Sequence, residues 1–264
     1  MRAVRVGKCH RGTPTRRRGL ARDPGPCDKL STVDTTHWDS AARIRSQIES
    51  GVHDRERFRA ALLGVPPGER DAWVDHVFGL GDLPEDGPEL PRGCVPYLPC
   101  SVDALLGVVE HAPVLASDIF VDVGAGAGRA AAFVHLLTGA GAIGLEIQPR
   151  LVVAARELIA RMRFSRVSCV EGDAADLAGF ITIGSVFFLY CPFSGERLDK
   201  MLTCLEQVAH TKTIRVCCVD LPLPPCAWLT PEASHGADLT IYRSTILDRD
   251  REPTMGLPPR ERAS

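Results

Sequence analysis

Apolar positions recur along this chain in two different periods, and the change from one to the other divides it. Between Ala41 and Leu63, the residues Ile44, Ile48, Val52 and Leu62 return at a spacing near 3.6, which predicts one amphipathic helix with Asp39 or Ser40 as its N-cap. Pro66 and Pro67 break the pattern, and Trp73, Val74, Val77 and Phe78 mark a second, shorter helix. The stretch Gly79–Cys100 is too rich in proline and glycine for any regular element and predicts a long loop, a feature that in small domains often carries function. A further helical stripe, Val102, Leu105, Leu106 and Val109, follows it.

From there short apolar runs alternate with helical patterns. Strands are expected at Ile119–Val123, Ala142–Ile147, Arg166–Val170, Ser185–Tyr190 and Ile214–Val219, and helices at Arg129–Leu137, Arg150–Met162 and Glu196–Ala209. Ala227–Leu229 and Leu239–Ile246 are expected to pair as an antiparallel hairpin across Pro231–Ala237. Strands that are apolar throughout, separated by helices, predict an α/β chain with a mostly parallel sheet covered on both faces. The expected organisation is a basic tail over 1–30, a helical appendage with its proline-rich loop over 31–100, an α/β core over 101–247 and a polar tail over 248–264.

Composition narrows the class. With 45% hydrophobic and 24% charged residues in 264, the chain is an ordinary globular protein, and its longest apolar runs are strand-length, far short of the roughly 20 residues of a membrane-spanning helix. The net charge of −2 says nothing for or against nucleic acid as a partner. Its distribution is uneven: residues Met1–Leu30 hold nine Lys and Arg against Asp23 and Asp28. That segment lacks apolar periodicity and is expected to be disordered; an arm for nucleic acid or an acidic surface, an Arg-rich organelle-targeting peptide and a dispensable tail translated upstream of the real start are its competing meanings. The ten cysteines contain no Cys-x-x-Cys, and no histidines pair at helical spacing, so neither a disulfide framework nor a metal site is expected. Free thiols in strand-like runs point to a reducing, cytoplasmic compartment.

The first strand runs directly into Asp122-Val123-Gly124-Ala125-Gly126-Ala127-Gly128-Arg129 and then into a helix. At the carboxyl edge of a parallel sheet this turn is a ligand cradle, because glycines let a ligand approach the main chain with no Cβ in the way. A dinucleotide fingerprint needs its third glycine or an alanine where Arg129 stands. Two acids follow later strands: Glu146, suited as an acceptor-only carboxylate to ribose hydroxyls, and Asp173, followed by Ala174.

In register and in the placing of its acids the segment resembles motif I of class I S-adenosylmethionine-dependent methyltransferases. The resemblance implies a doubly wound, mostly parallel seven-stranded sheet, the Rossmann-like methyltransferase fold, with S-adenosylmethionine as cofactor. It assigns Asp122, Gly124, Ala125, Gly126, Gly128, Glu146, Asp173 and Ala174 to the cofactor, Asp173 accepting the adenine amino group. Tyr190-Cys191-Pro192-Phe193 stands where this class shapes its acceptor pocket, but departs from the Asn/Asp-Pro-Pro-Tyr/Phe of amino-methylating DNA enzymes. Upstream, Pro96-Tyr97-Leu98-Pro99-Cys100-Ser101 is similar to a segment of the histone-lysine methyltransferases that lack a SET domain and of the ATP-synthase c-subunit lysine methyltransferases, with Cys100 in place of their Ser or Thr. Tyr97, Tyr190 and Phe193 are thus the expected walls of the methyl-transfer site. A protein lysine, another protein side chain, a small metabolite and RNA stay open as acceptors. The competing readings are a nicotinamide-dependent oxidoreductase and a binder of S-adenosylmethionine without catalysis.

Overall fold

The computed structural model describes residues 36–81, 84–87, 90–235 and 238–249; the basic segment 1–30 and the tail beyond Arg249 lie outside the described residues. Three helices come first: α1 (Thr36–Glu49), α2 (Arg55–Leu63) and α3 (Arg70–Phe78), the last entered through a 3-10 turn at Pro67–Glu69. The single helix expected over 41–63 is therefore two. The chain breaks at Gly51, whose φ of +92° is left-handed, and Asp54 restarts it by accepting the Arg57 N–H at 3.0 Å. Val52 falls in the break and is 53% exposed, not on a buried stripe, while Asp39 and Ser40 lie inside α1 and cap nothing at its start.

The remaining elements are α4 (Val102–His111), β1 (Ile119–Val123), α5 (Arg129–Thr138), β2 (Gly141–Glu146), α6 (Pro149–Arg161), β3 (Val167–Glu171), α7 (Ala174–Leu177), β4 (Val186–Tyr190), α8 (Glu196–Ala209), β5 (Arg215–Val219), β6 (Leu229–His235), β7 (Leu239–Ser244) and α9 (Ile246–Arg249). The strands form one seven-stranded sheet in the order β3-β2-β1-β4-β5-β7-β6. β1 to β5 run parallel, and β7 is antiparallel to both β5 and β6. This is the doubly wound Rossmann-like sheet that the resemblance implies. The final hairpin is longer than expected on its first arm: β6 runs through residues read as its turn, with a bulge at Pro231–Ala233 that accommodates the proline. Ile246, expected in the last strand, opens α9 instead.

Phe120, Phe187 and Phe188 are buried in the centre of the sheet, with α5 on one side and α8 on the other. The first three helices join the α5 side of that core: the Phe58 ring meets Trp73 at 5.8 Å and Phe133 of α5 edge-on at 6.0 Å. Arg129, the first residue of α5, locks them. Its side chain, 5% exposed, pairs with Asp75 at 2.6 Å and Asp71 at 2.8 Å on α3 and donates to the Cys100 carbonyl at 2.5 Å. Asp71 also accepts the first N–H of α4, from Val102, at 2.9 Å. Among the described residues no helix is long and apolar enough to cross a membrane.

Candidate functional site

In an open parallel sheet the carboxyl ends of the strands leave a crevice where the winding reverses, here between β1 and β4. A cleft of about 280 Å³ lies there, near the lower end of the roughly 300–1,000 Å³ usual for small-molecule sites. Of the residues singled out in the sequence, Tyr97, Gly124, Glu146, Asp173, Ala174, Tyr190 and Phe193 line it. Asp122 and Ala125 line a small adjoining cavity instead, with Tyr97, Gly124 and Tyr190 common to both. Gly126 and Gly128 line neither. A Cβ at Gly126 would lie 1.8 Å from the Tyr97 ring, so that glycine makes room for the tyrosine, while Gly128 lets α5 pack against Ala155 of α6.

Glu146 ends β2 and is 6% exposed. Its Oε2 accepts the Gly126 N–H at 2.7 Å and its Oε1 the Gln148 N–H at 2.8 Å. Burial raises its pKa, and the backbone donors of Gln148, Gly126 and Ile147 oppose the rise. Asp122 stands on β1, with its carboxyl group against the Ala131 N–H at the first turn of α5. Burial pushes it up to about 7; the Ala131 N–H lowers it, Glu146 raises it, and its Oδ2 has no partner among the described residues. Asp173 caps α7 by accepting the Ala175 N–H at 3.0 Å, and its other oxygen pairs with Arg197 of α8. Asp173 is thus already an ion-pair partner and a helix cap.

Tyr97 reaches the glycine loop from the proline-rich segment, which folds back across the cleft. Its N–H donates to Asp86 at 2.9 Å, Asp86 also accepts from the Gln148 side chain at 2.8 Å, and Gln148 accepts the Gly87 N–H at 2.7 Å. On the far side Cys94 bridges Phe193, and Arg197 donates to the Arg92 carbonyl at 3.1 Å. The Tyr97 hydroxyl is buried beside Ala127 with no partner at hydrogen-bonding geometry among the described residues, and burial pushes its pKa up to about 12. Phe193 is 4% exposed and also belongs to the core around α8, whereas Tyr190 is only partly covered.

Gln148, Arg197 and Asp220 were not singled out in the sequence. Gln148 sits two residues beyond a strand and just before a helix-starting proline, where a glutamine carries no signal of its own. Asp220, next after β5, lines the cleft with its backbone at φ +52°, and Cys191, next after β4, does so at φ +40°.

No protein-family model matches the chain, and no curated protein is similar to it. Solved structures are. An RNA methyltransferase from Salinibacter ruber, crystallised with S-adenosyl-L-homocysteine, is 23% identical with a TM-score of 0.44, over 56% of this chain and 92% of its own. A putative methyltransferase from Escherichia coli is 20% identical with a TM-score of 0.46, over 61% and 91%. A precorrin-6y C5,15-methyltransferase from Geobacter metallireducens is 12% identical with a TM-score of 0.40, over 60% and 91%. In sheet order and in its strand-glycine loop-helix turn this chain resembles the class I S-adenosylmethionine-dependent methyltransferases.

Proposed function

We propose that this chain is an S-adenosylmethionine-dependent methyltransferase. The observation that carries the reading is the charge of the cleft: no Lys, Arg or His is among its described lining residues, and its ionisable groups are acids, thiols and tyrosines. The glycine loop is also already claimed by acidic side chains. Glu146 takes the Gly126 N–H, and Asp122 lies against the Ala131 N–H at the start of α5. Those are the donors a dinucleotide pyrophosphate would need. A doubly anionic group would meet two carboxyl groups there, whereas a sulfonium cation meets no cation among the described lining residues of the cleft. The nicotinamide alternative loses its anchor for that reason.

In this reading Glu146 holds the ribose, since its two oxygens keep lone pairs beyond the two they give to backbone N–H groups. Asp173 and Ala174 flank the adenine, and Gly124 and Tyr97 enclose the methionine end. When bound, S-adenosylmethionine supplies a methyl group already activated on sulfur, so the chain contributes orientation and exclusion of water. The segment carrying Tyr97 covers the cleft, and Tyr97, Tyr190 and Phe193 wall the space where an acceptor enters. An amine must react there without its proton, and apolar walls favour the neutral form. The acceptor named by the lysine-methyltransferase likeness, a protein lysine, is one candidate.

Calorimetric titration with S-adenosylmethionine, S-adenosylhomocysteine and NAD tests the reading, followed by labelled methyl transfer into a lysate resolved by size. Saturable binding of the first two without NAD is the expected result. NAD binding alone would overturn the proposal, and cofactor binding with no transfer would leave a binder without catalysis.

A further inference from the structure

The five parallel strands each deliver one part of the cleft, and the sheet order arranges those parts in a row: Asp173 after β3, Glu146 on β2, Gly124 after β1, Tyr190 and Cys191 at the end of β4, Asp220 after β5. At about 4.8 Å per strand, the row spans roughly 19 Å. Its two ends differ in charge. Asp173 is neutralised by Arg197. Asp220 lines the cleft with an exposed side chain that has no hydrogen-bond or ion-pair partner among the described residues. Its backbone, by contrast, is held on both sides: its N–H donates to the Asp238 carbonyl at 2.9 Å, and its carbonyl accepts from the Cys191 thiol at 2.6 Å. Its charge reaches Tyr190 and Cys191, adding to the burial that raises both their pKa values.

We propose that Asp220 binds the methyl acceptor and that the acceptor is an aliphatic amine, an inference that rests on the methyltransferase reading. The cofactor takes the β1–β3 end of the row, which leaves β4 and β5 to the acceptor. Among the described residues the only unpaired charge there is a carboxylate, which attracts an ammonium group and repels a carboxylate or phosphate. It also suits the reaction. The bound ammonium first gives one proton to water at the open mouth, and the lone pair so freed forms the new N–C bond as the S–C bond breaks and its electron pair returns to sulfur. The positive charge then passes from sulfur to nitrogen, toward Asp220, and the product leaves as a methylated ammonium ion.

Three ligands test this without turnover. One is S-adenosylhomocysteine; the others are analogues with nitrogen in place of sulfur, carrying a 3-aminopropyl or a 3-hydroxypropyl arm. In calorimetry the full chain should bind the amino arm about fivefold more tightly than the hydroxyl arm, the upper end for an ion pair open to water. Asp220→Asn should abolish that preference and leave S-adenosylhomocysteine affinity unchanged. Asp220→Gly serves as the second variant, because glycine accepts φ +52° without strain. Equal binding of both arms by the wild type, or a preference that survives both substitutions, overturns the role of Asp220. Failure of S-adenosylhomocysteine to bind the wild type overturns the methyltransferase reading itself. An amino arm presented as the lysine side chain of a tripeptide, compared with the plain arm, separates a protein side chain from a free amine, and Asp220→Asn should weaken both.

Discussion

The β1–β3 end of the cleft and the β4–β5 end are built on opposite principles. At the first, Glu146 and Asp173 are satisfied before any ligand arrives, by backbone N–H groups and by Arg197. At the second, Tyr190 is partly open, Cys191 and Asp220 hold left-handed backbone conformations, and Asp220 presents an uncommitted carboxylate. Pre-paired groups cost nothing to reorganise and suit a ligand that is always the same. Uncommitted groups at strained strand ends suit the variable partner, and held strain of this kind concentrates at functional sites.

The largest test attacks the support of the rigid end. Arg129→Met removes a buried guanidinium and leaves Asp71, Asp75 and the Cys100 carbonyl without it. Breaking a fully buried pair costs about 3–5 kcal/mol; with both aspartates partly in water, about 3 kcal/mol is expected in urea unfolding. If the rigid end depends on this lock, cofactor affinity should fall as well. Next, Glu146→Ala removes two charge-assisted hydrogen bonds to a ribose, each worth about 1.5–3 kcal/mol. Allowing for non-additivity, S-adenosylmethionine affinity should drop about 100-fold in titration calorimetry while the fold survives. An unchanged dissociation constant would remove Glu146 from the site.

A third test concerns Asp122, buried behind the glycine loop with a pKa raised from 3.8 to about 7. The folded chain then holds a proton that the unfolded chain releases. Its contribution is complete below about pH 4 and is lost as pH rises toward 7. Asp122→Asn cannot lose that proton, so its stability relative to wild type should climb across this window and level off above it. A climb of about 2 kcal/mol is expected, less than the ~4 kcal/mol of the full shift because Glu146 titrates beside it. A difference that stays flat with pH would mean that Asp122 is ionised in the fold.

The same contrast governs what could be read from the sequence. The sheet, the glycine loop and Glu146 were legible because each depends on a local pattern: an apolar strand, a glycine register, an acid at a strand end. The helix break at Gly51 was not, because Ile44, Ile48 and Leu62 keep in phase across it. Arg129 could be read only as a missing glycine, since its partners on α3 lie more than fifty residues away. Asp220 shows nothing in sequence: its backbone angle and its place beside Cys191 arise only when β4 and β5 pair.

The smallest expected effect separates chemistry from packing at the open end. Tyr190 ends β4 with its ring against the core and lines both the cleft and the small cavity behind it. Tyr190→Phe deletes only the hydroxyl. That oxygen is not among the buried side-chain atoms without a partner, as the Tyr97 hydroxyl is, and it makes no side-chain hydrogen bond to another described residue. A buried structural hydrogen bond would cost about 1 kcal/mol when removed. None exists here to lose, so melting temperature and S-adenosylhomocysteine affinity should match wild type, while methyl transfer to an amine acceptor falls a fewfold. Lower stability with wild-type transfer would make Tyr190 a packing residue and would shift the acceptor toward Asp220 alone.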